Sequence, residues 1–158
     1  MLELGKAGSA GADRGVVPVL RDGSVVATFA ASNWKERATA RIDGGEWVYG
    51  KAGRELVGRR TEDPEGTVRY RAHQMSIWKR HFGVDLEGTA VEARTSSWWR
   101  TTHRYLVGGR VVAESGSAGR LSQRPTLDGD GSLSLPQQVF LLWVEFVLRR
   151  RAAAASAA

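Results

Sequence analysis

Short apolar runs separated by turn residues fill most of this chain, and that pattern is typical of β-structure. Three pairs of such runs are each joined by a glycine-containing turn: residues 16–20 and 24–29 around Asp22-Gly23, residues 37–42 and 46–49 around Asp43-Gly44-Gly45, and residues 103–107 and 110–114 around Gly108-Gly109. Asp-Gly and Gly-Gly pairs supply the positive φ angles that tight hairpin turns need. Each pair therefore predicts an antiparallel hairpin.

Residues 67–73 and 89–95 alternate apolar and polar side chains, as half-buried strands do. The segment that begins at Ser32-Asn33-Trp34 also recurs, at equal spacing to its Gly-Gly turn, in the segment that begins at Ser96-Ser97-Trp98. Two copies of this length are too few for a solenoid. The pattern predicts an antiparallel sheet, closed or sandwiched, that is built from two similar halves.

The pattern changes near the carboxyl end, where a helix is predicted. Ser134 and Gln137 have the spacing of a capping box, and Pro136 is tolerated in a first turn. Residues 139–148 are apolar except for Glu145, so no face of this helix suits water. The run is also shorter than the roughly 20 residues that a bilayer span requires. We therefore expect the strands to enclose the helix.

In that arrangement, inward-facing aromatic residues of the strands pack against aromatic residues of the helix. The residues expected in these contacts are Trp47, Tyr49, Tyr70 and Tyr105 on the strands, and Phe140, Trp143 and Phe146 on the helix. The three arginines at 149–151 are expected to end the helix, where cations suit the helix dipole. The alanine-rich residues 152–158 are expected to form a frayed tail.

A strand-rich chain with two similar halves, ending in one hydrophobic helix at residues 136–151, resembles the tubby C-terminal-like superfamily, which includes LURP-one-related proteins and phospholipid scramblases. The resemblance implies a mainly β fold, a closed antiparallel barrel of about twelve strands around a buried C-terminal helix at about residues 136–150. It implies one domain over residues 16–151, preceded by a flexible segment at residues 1–15. Tubby domains bind phosphoinositide head groups through surface lysines and arginines, but those residues have no matched positions here.

Composition excludes several kinds of chemistry. The 158 residues include no cysteine, which rules out disulfides, thiol catalysis and zinc–thiolate sites, and His73, His81 and His103 lack metal-ligand spacing. We therefore expect no cofactor and no metal. The first residues lack the apolar core of a secretory signal, which predicts a cytoplasmic location, including the membrane periphery. The net charge of +6 favours anionic partners.

Two stretches without acidic residues, 67–84 and 93–113, supply the candidate ligand-binding residues. These residues are Arg69, Arg71, Lys79, Arg80, Arg94, Arg100 and Arg104. Arginine forks suit phosphate oxygens, and the nearby Trp78, Trp98 and Trp99 could stack on a base or lie at a lipid boundary. The alternative is that these tryptophans belong to the core and that the arginines form a solvated face.

Catalytic motifs are incomplete, and no catalytic residue is predicted. Residues 45–51 match the first part of the phosphate-binding loop motif, but Ala52 replaces the hydroxyl residue of that motif. The segment Ser115-Gly116-Ser117-Ala118-Gly119 lacks the first glycine of a nucleophile elbow. The three histidines are interpreted as surface strand residues. We therefore predict a non-enzymatic binding module for anionic lipid head groups or a protein partner. The alternatives are a nucleic-acid-binding protein that uses surface arginine and tryptophan, and a small hydrolase.

Overall fold

The apolar runs form twelve antiparallel strands, followed by one helix, within the part of the chain that the structure describes. The structure is a computed structural model and describes residues 1–31, 36–76, 81–97, 101–119 and 124–157. Its strands are β1 (Leu2–Leu4), β2 (Val16–Arg21), β3 (Ser24–Ala31), β4 (Ala38–Ile42), β5 (Gly45–Ala52), β6 (Glu55–Arg60), β7 (Tyr70–Ser76), β8 (His81–Leu86), β9 (Thr89–Ser97), β10 (Thr102–Val107), β11 (Arg110–Ala118) and β12 (Arg124–Gly129), and its helix is α1 (Leu135–Ser156).

The twelve strands close into a barrel. Each strand pairs with its neighbour in sequence, and β1 pairs with both β12 and β2. Closure gives every described strand a partner on both sides, which removes the edges of the sheet. The predicted mainly β fold, a closed antiparallel barrel of twelve strands, is confirmed.

The amino-terminal strand β1 corrects one expectation. Residues 1–15 were expected to form a flexible segment, but Leu2 and Leu4 are buried and pair with Leu127 of β12 and Val19 of β2. Residues 5–15 then return to the barrel, with Gly5 N–H donating to the carbonyl of Pro18 at 2.8 Å. The short strand β1 therefore closes the barrel, because it pairs with β12 on one side and with β2 on the other.

The three predicted hairpins are confirmed, and their turns have the backbone that the sequence indicated. Asp22-Gly23, Asp43-Gly44 and Gly108-Gly109 all adopt positive φ at both central positions, as two-residue hairpin turns of type I′ require. Hairpins β4–β5 and β10–β11, which resemble each other in sequence, lie six strands apart in the closed order. The turn equivalent to Gly108-Gly109 is Asp43-Gly44, because Gly45 already belongs to β5.

The helix begins as predicted and lies inside the barrel. Ser134 and Gln137 form a complete capping box, with Ser134 N–H donating to Gln137 Oε1 at 2.9 Å. Along its length α1 contacts strands on every side: Gln137 donates to a carbonyl of β8, Phe140 meets rings from β5 and β7, and Arg149 donates to a carbonyl of β11. Enclosure by strands explains why an all-apolar helix surface is stable here.

The end of the helix differs from the expectation. Residues 149–151 do not end α1, which continues to Ser156, so residues 152–156 are an exposed helical extension where a frayed tail was expected. Alanine has the highest intrinsic helix propensity, so the last turns form without burial.

Aromatic side chains fill the space between the helix and the strands, largely as predicted. The Tyr49 ring lies 5.3 Å from Phe140 and 5.2 Å from Trp143. Trp47 stacks on Tyr70 with 4.7 Å between the ring centroids, and Tyr70 in turn contacts Phe140. The absence of a side chain at Gly58 permits this packing, since a Cβ there would approach the Tyr49 ring to 2.9 Å. Phe146 is only partly buried and contacts Arg150.

Candidate functional site

A cavity of about 400 Å³ opens at one end of the barrel. We call this the pocket end; it is the end where β5, β7 and β9 finish and where α1 leaves the barrel. One face of α1 forms one side of the cavity, and the ends of β6 to β10 form the other. The described residues that line it are Arg54, Leu56, Ala72, His73, His81, Phe82, Thr95, Ser97, Thr101, His103, Val144, Leu148, Arg151 and Ala152.

The cavity wall has an apolar side and a polar side. Leu56, Ala72 and Phe82 from β6, β7 and β8 face Val144 and Leu148 of the helix. The strands β9 and β10 instead contribute hydroxyl groups and one buried imidazole. An apolar wall with a few convergent polar groups is the usual composition of a small-molecule site.

The buried imidazole belongs to His103, which was predicted to be a surface residue and is only 6% exposed. Its Nδ1 lies 2.8 Å from Oε1 of Glu145, a residue of α1 with no exposed surface. The Tyr105 hydroxyl donates to the same oxygen at 2.6 Å. The other two histidines were also predicted to lie at the surface, and they do so: His73 is exposed and His81 is half-buried.

The electrostatics of this cluster follow from burial. Burial, and then the nearby Glu145 carboxylate, raise the pKa of Tyr105 well above its usual value, so its hydroxyl stays protonated and remains a donor. Arg149 lies one turn after Glu145 and is half-buried, which lowers its pKa, but an arginine remains charged at neutral pH. Glu145 Oε2 is buried and has no hydrogen-bond partner within the described residues. His103, Tyr105 and Glu145 therefore form a buried polar cluster that is surrounded by the apolar core.

Two arginines lie at the mouth of the cavity. Arg151 forms a two-point ion pair with Glu36, at 2.5 and 2.6 Å, and this hydrogen bonding lowers the pKa of that carboxyl. Arg54 lies in the turn between β5 and β6, is exposed, and forms no ion pair with any described residue. No carboxylate stands among the described residues that line the cavity. Among the described residues, Arg54 therefore gives the mouth a positive charge that no carboxylate offsets.

The predicted candidate arginines lie elsewhere on the barrel, and each described one has an acidic partner. Arg69 pairs with Asp63 and Glu87, Arg71 with Glu55, Arg94 with Glu92, and Arg104 with Glu114. Arg94 and Arg104 are neighbours across β9 and β10, whereas Arg69 lies at the end opposite the pocket. Lys79, Arg80 and Arg100 lie outside the described residues, as do Trp34, Trp78, Trp98 and Trp99.

Arg69 has a structural role that the sequence did not indicate. Its guanidinium donates to both oxygens of Asp63, at 2.6 and 2.7 Å, and to Glu87 at 3.0 Å. It thereby joins the connection between β6 and β7 to the turn between β8 and β9. The Arg69 guanidinium, with help from the backbone N–H of Arg60, lowers the pKa of Asp63 to about 2.

This ion pair gives a pH-dependent prediction. Because the folded-state pKa of Asp63 is depressed, its stabilisation is complete above the unfolded value of about 3.9 and is lost as the pH falls toward about 2. We expect Asp63→Asn to lower the free energy of unfolding at pH 7 and to have little effect near pH 2, as measured by urea unfolding. Glu62→Gln, which removes a weaker exposed carboxylate, is the control. An equal effect of Asp63→Asn at both pH values would contradict the prediction.

Sequence reasoning missed His103 and Glu145 as a pair. One signal was present, because Glu145 is the single polar residue in the apolar run at 139–148. A carboxylate in an enclosed helix needs a partner, but the sequence does not say which strand supplies it. Within the described residues, no group of three or more acidic or histidine side chains could hold a metal ion. No described helix is long and apolar enough to cross a membrane.

The fold and the cavity define a closed twelve-stranded barrel that is plugged by a helix and has a ligand-sized pocket at one end. Comparison with known proteins gives no match, either to a family model, to a curated protein or to a solved structure. The resemblance to the tubby C-terminal-like superfamily stays a prediction that rests on the order of elements and on the C-terminal helix.

Proposed function

We propose that this protein is a binding module that holds a small amphiphilic anion in the cavity at the pocket end. The observation that carries the proposal is the composition of the cavity wall, which combines an apolar side, the cation of Arg54 at the mouth and no carboxylate among the described lining residues. Binding of such an anion requires no catalytic residue. A cytoplasmic location, in keeping with a chain that lacks cysteine, completes the proposal.

Size favours a single-chain ligand. The cavity volume of about 400 Å³ is near the lower end of the range for small-molecule pockets, about 300–1,000 Å³. A two-chain phospholipid would leave most of its apolar surface in water. A medium-chain acid can instead place its chain against Leu56, Phe82 and Leu148. The sequence predicted an anionic lipid head group as the ligand, and the size of the cavity narrows this proposal to a free acid with a single chain.

Charge favours an anion. Arg54 at the mouth attracts negative groups, because it forms no ion pair with a described carboxylate, whereas Arg151 is paired with Glu36. The outer surface offers less to an anion, because Arg69, Arg71, Arg94 and Arg104 all pair with acidic residues. The same pairing weakens the case for binding a lipid surface or a nucleic acid through these arginines.

Calorimetric titration with sodium decanoate tests the proposal on the full chain. We expect saturable binding of one decanoate, and weaker binding of decanol, which has the same chain without the charge. Ala152→Trp places a large ring at the mouth and should abolish binding. Ala154→Trp is the matched control, because residue 154 is exposed on the same helix and points away from the cavity.

The contribution of charge is tested separately. Arg54→Ala should weaken decanoate binding about two- to fivefold, the range of an exposed ion pair. Arg21→Ala removes the same charge at the opposite end of the barrel and should have no effect. No saturable binding, or binding that Ala152→Trp leaves intact, would overturn the proposal.

The His103–Glu145 pair favours a second candidate function, the hydrolysis of a small ester. An imidazole that is held by a carboxylate is a common general base. This function predicts that the wild-type chain hydrolyses p-nitrophenyl butyrate and that His103→Asn does not. Equal rates for the two proteins would exclude it.

A further inference from the structure

We infer that His103 recognises the acidic group of the ligand and that each anion enters the pocket together with one proton. This inference rests on the proposed function and deepens it, because it names the residue that selects the ligand and the class of ligand it selects. The ligand is an organic acid with an apolar chain.

The position of the His103 ring is fixed on several sides. Nδ1 is held by Glu145 at 2.8 Å, and the backbone N–H of His103 donates to Ser115 Oγ at 2.8 Å. The Phe82 ring meets the imidazole at 5.2 Å in an edge-on arrangement. Because His103 lines the cavity and its Nδ1 is engaged, Nε2 is the polar atom that the ring offers to a ligand. Within the described parts of the chain, the hydrogen bond of the ring is the one between Nδ1 and Glu145.

Proton stoichiometry follows from the hydrogen-bonding roles of the ring. When the imidazole is neutral and donates from Nδ1 to Glu145, Nε2 carries a lone pair and accepts a hydrogen bond. The carboxylate of an ionised ligand also only accepts hydrogen bonds, so it and the Nε2 lone pair repel each other. A hydrogen bond between them forms only when one further proton binds, either on Nε2 or on the ligand acid. Both cases consume one proton for each anion bound.

The charged and titratable groups around the imidazole lie on β10, on α1 and at the mouth of the cavity. Glu145 contacts the ring directly, the Tyr105 hydroxyl donates to the same oxygen of Glu145, and Arg149 lies one turn further along α1. Across the cavity stand the guanidinium groups of Arg54 and Arg151. Tyr105 keeps its proton because its pKa is raised.

The other two histidines at the cavity are the internal controls. His81 Nδ1 lies 3.8 Å from Glu92, and His73 is exposed. Both border the cavity, but neither is held by Glu145. If either of them supplied the proton, then its replacement, and not that of His103, would remove the pH dependence.

The test is calorimetric titration of the full chain with decanoate between pH 6 and 8.5, in pairs of buffers with different ionisation enthalpies. Toward the alkaline end we expect uptake approaching one proton per decanoate, with affinity falling by about tenfold per pH unit, as linkage to one proton requires. Decanol, whose hydroxyl can donate to neutral Nε2, should bind with no such pH dependence.

His103→Asn is the matched variant. The asparagine amide can still donate to Glu145 from near the Nδ1 position, but it does not titrate and does not reach Nε2. We expect weaker decanoate binding that no longer varies with pH. His73→Asn and His81→Asn should keep both the proton uptake and the pH slope. Should His103→Asn fail to fold, nitrogen NMR of the wild-type imidazoles with and without decanoate tests the same inference, because the His103 Nε2 resonance should shift on binding at pH 8, either by protonation of Nε2 or by a hydrogen bond that Nε2 accepts from the ligand acid.

The outcomes separate the two proposals. Binding that is blocked by Ala152→Trp but takes up no proton would overturn this inference and leave the proposed function intact. A pH slope that persists in His103→Asn would do the same. Absence of decanoate binding at every pH would overturn both.

Discussion

Replacing Phe140 with alanine is expected to lower the free energy of unfolding by about 3–5 kcal/mol. Phe140 has no exposed surface, and its ring lies 5.3 Å from both Tyr49 and Tyr70 and 5.9 Å from Trp143. Because strands surround the helix, its neighbours cannot move inward far enough to fill the space. Urea unfolding followed by circular dichroism at pH 7 measures the loss.

Phe146→Ala is the matched control for this substitution. Phe146 lies on the same helix, is partly buried and contacts Arg150. Its truncation removes less buried surface and should cost about 1 kcal/mol. Equal losses for the two phenylalanines would contradict the enclosure of α1 by the barrel.

The second large effect is expected at the buried polar cluster. His103→Leu should lower the free energy of unfolding by about 3–5 kcal/mol, the usual cost of leaving a buried charge without its partner. Leucine keeps much of the volume of the ring, so the loss reports on Glu145, which remains fully buried with Tyr105 as its other contact. Urea unfolding at pH 7 measures this loss as well.

A combined variant identifies the cause of that loss. His103→Leu, Tyr105→Phe and Glu145→Leu together replace the whole cluster by apolar side chains and leave no orphaned donor or acceptor among its three residues. Such replacements are often neutral or stabilising, so we expect the stability to return close to that of the wild type. If the combined variant is as unstable as His103→Leu alone, the loss comes from packing and not from the unpaired carboxylate.

These two variants also bear on why the cluster exists. If the apolar replacement restores stability, then the fold does not need the cluster, and a role in the pocket explains its presence better. Ligand binding can be measured in the combined variant, which retains the mouth of the cavity with Arg54 and Arg151. Loss of proton-linked decanoate binding in a stable barrel would separate function from folding.

Local signals in the sequence predicted the elements whose structure depends on few residues. The turn Asp43-Gly44 and the capping box of Ser134 and Gln137 were predicted because their backbone geometry is set within a few positions. Strands β6 and β8 were not assigned from the sequence. Each contains a glycine, Gly58 or Gly83, which weakens the signal of a strand. Pairing with distant neighbours in the closed sheet makes them strands.

Local signals in the sequence could not predict the candidate site. His103 and Glu145 are 42 residues apart, and only the register of β10 against α1 brings Nδ1 within 2.8 Å of the carboxylate. The arginines were visible in the sequence, but their acidic partners were not. Arg69 and Glu87, for example, meet because β7 and β8 are adjacent.

The sequence by itself determined the hairpins, the start of the helix and the need to enclose it, because turn geometry, capping and burial of an all-apolar helix are constraints that each segment carries. Only the tertiary structure decided which side chains meet at the pocket end. Closure of twelve strands around α1 sets one register for the whole barrel. That register gives His103 its carboxylate partner and leaves the cavity beside Leu148 unfilled.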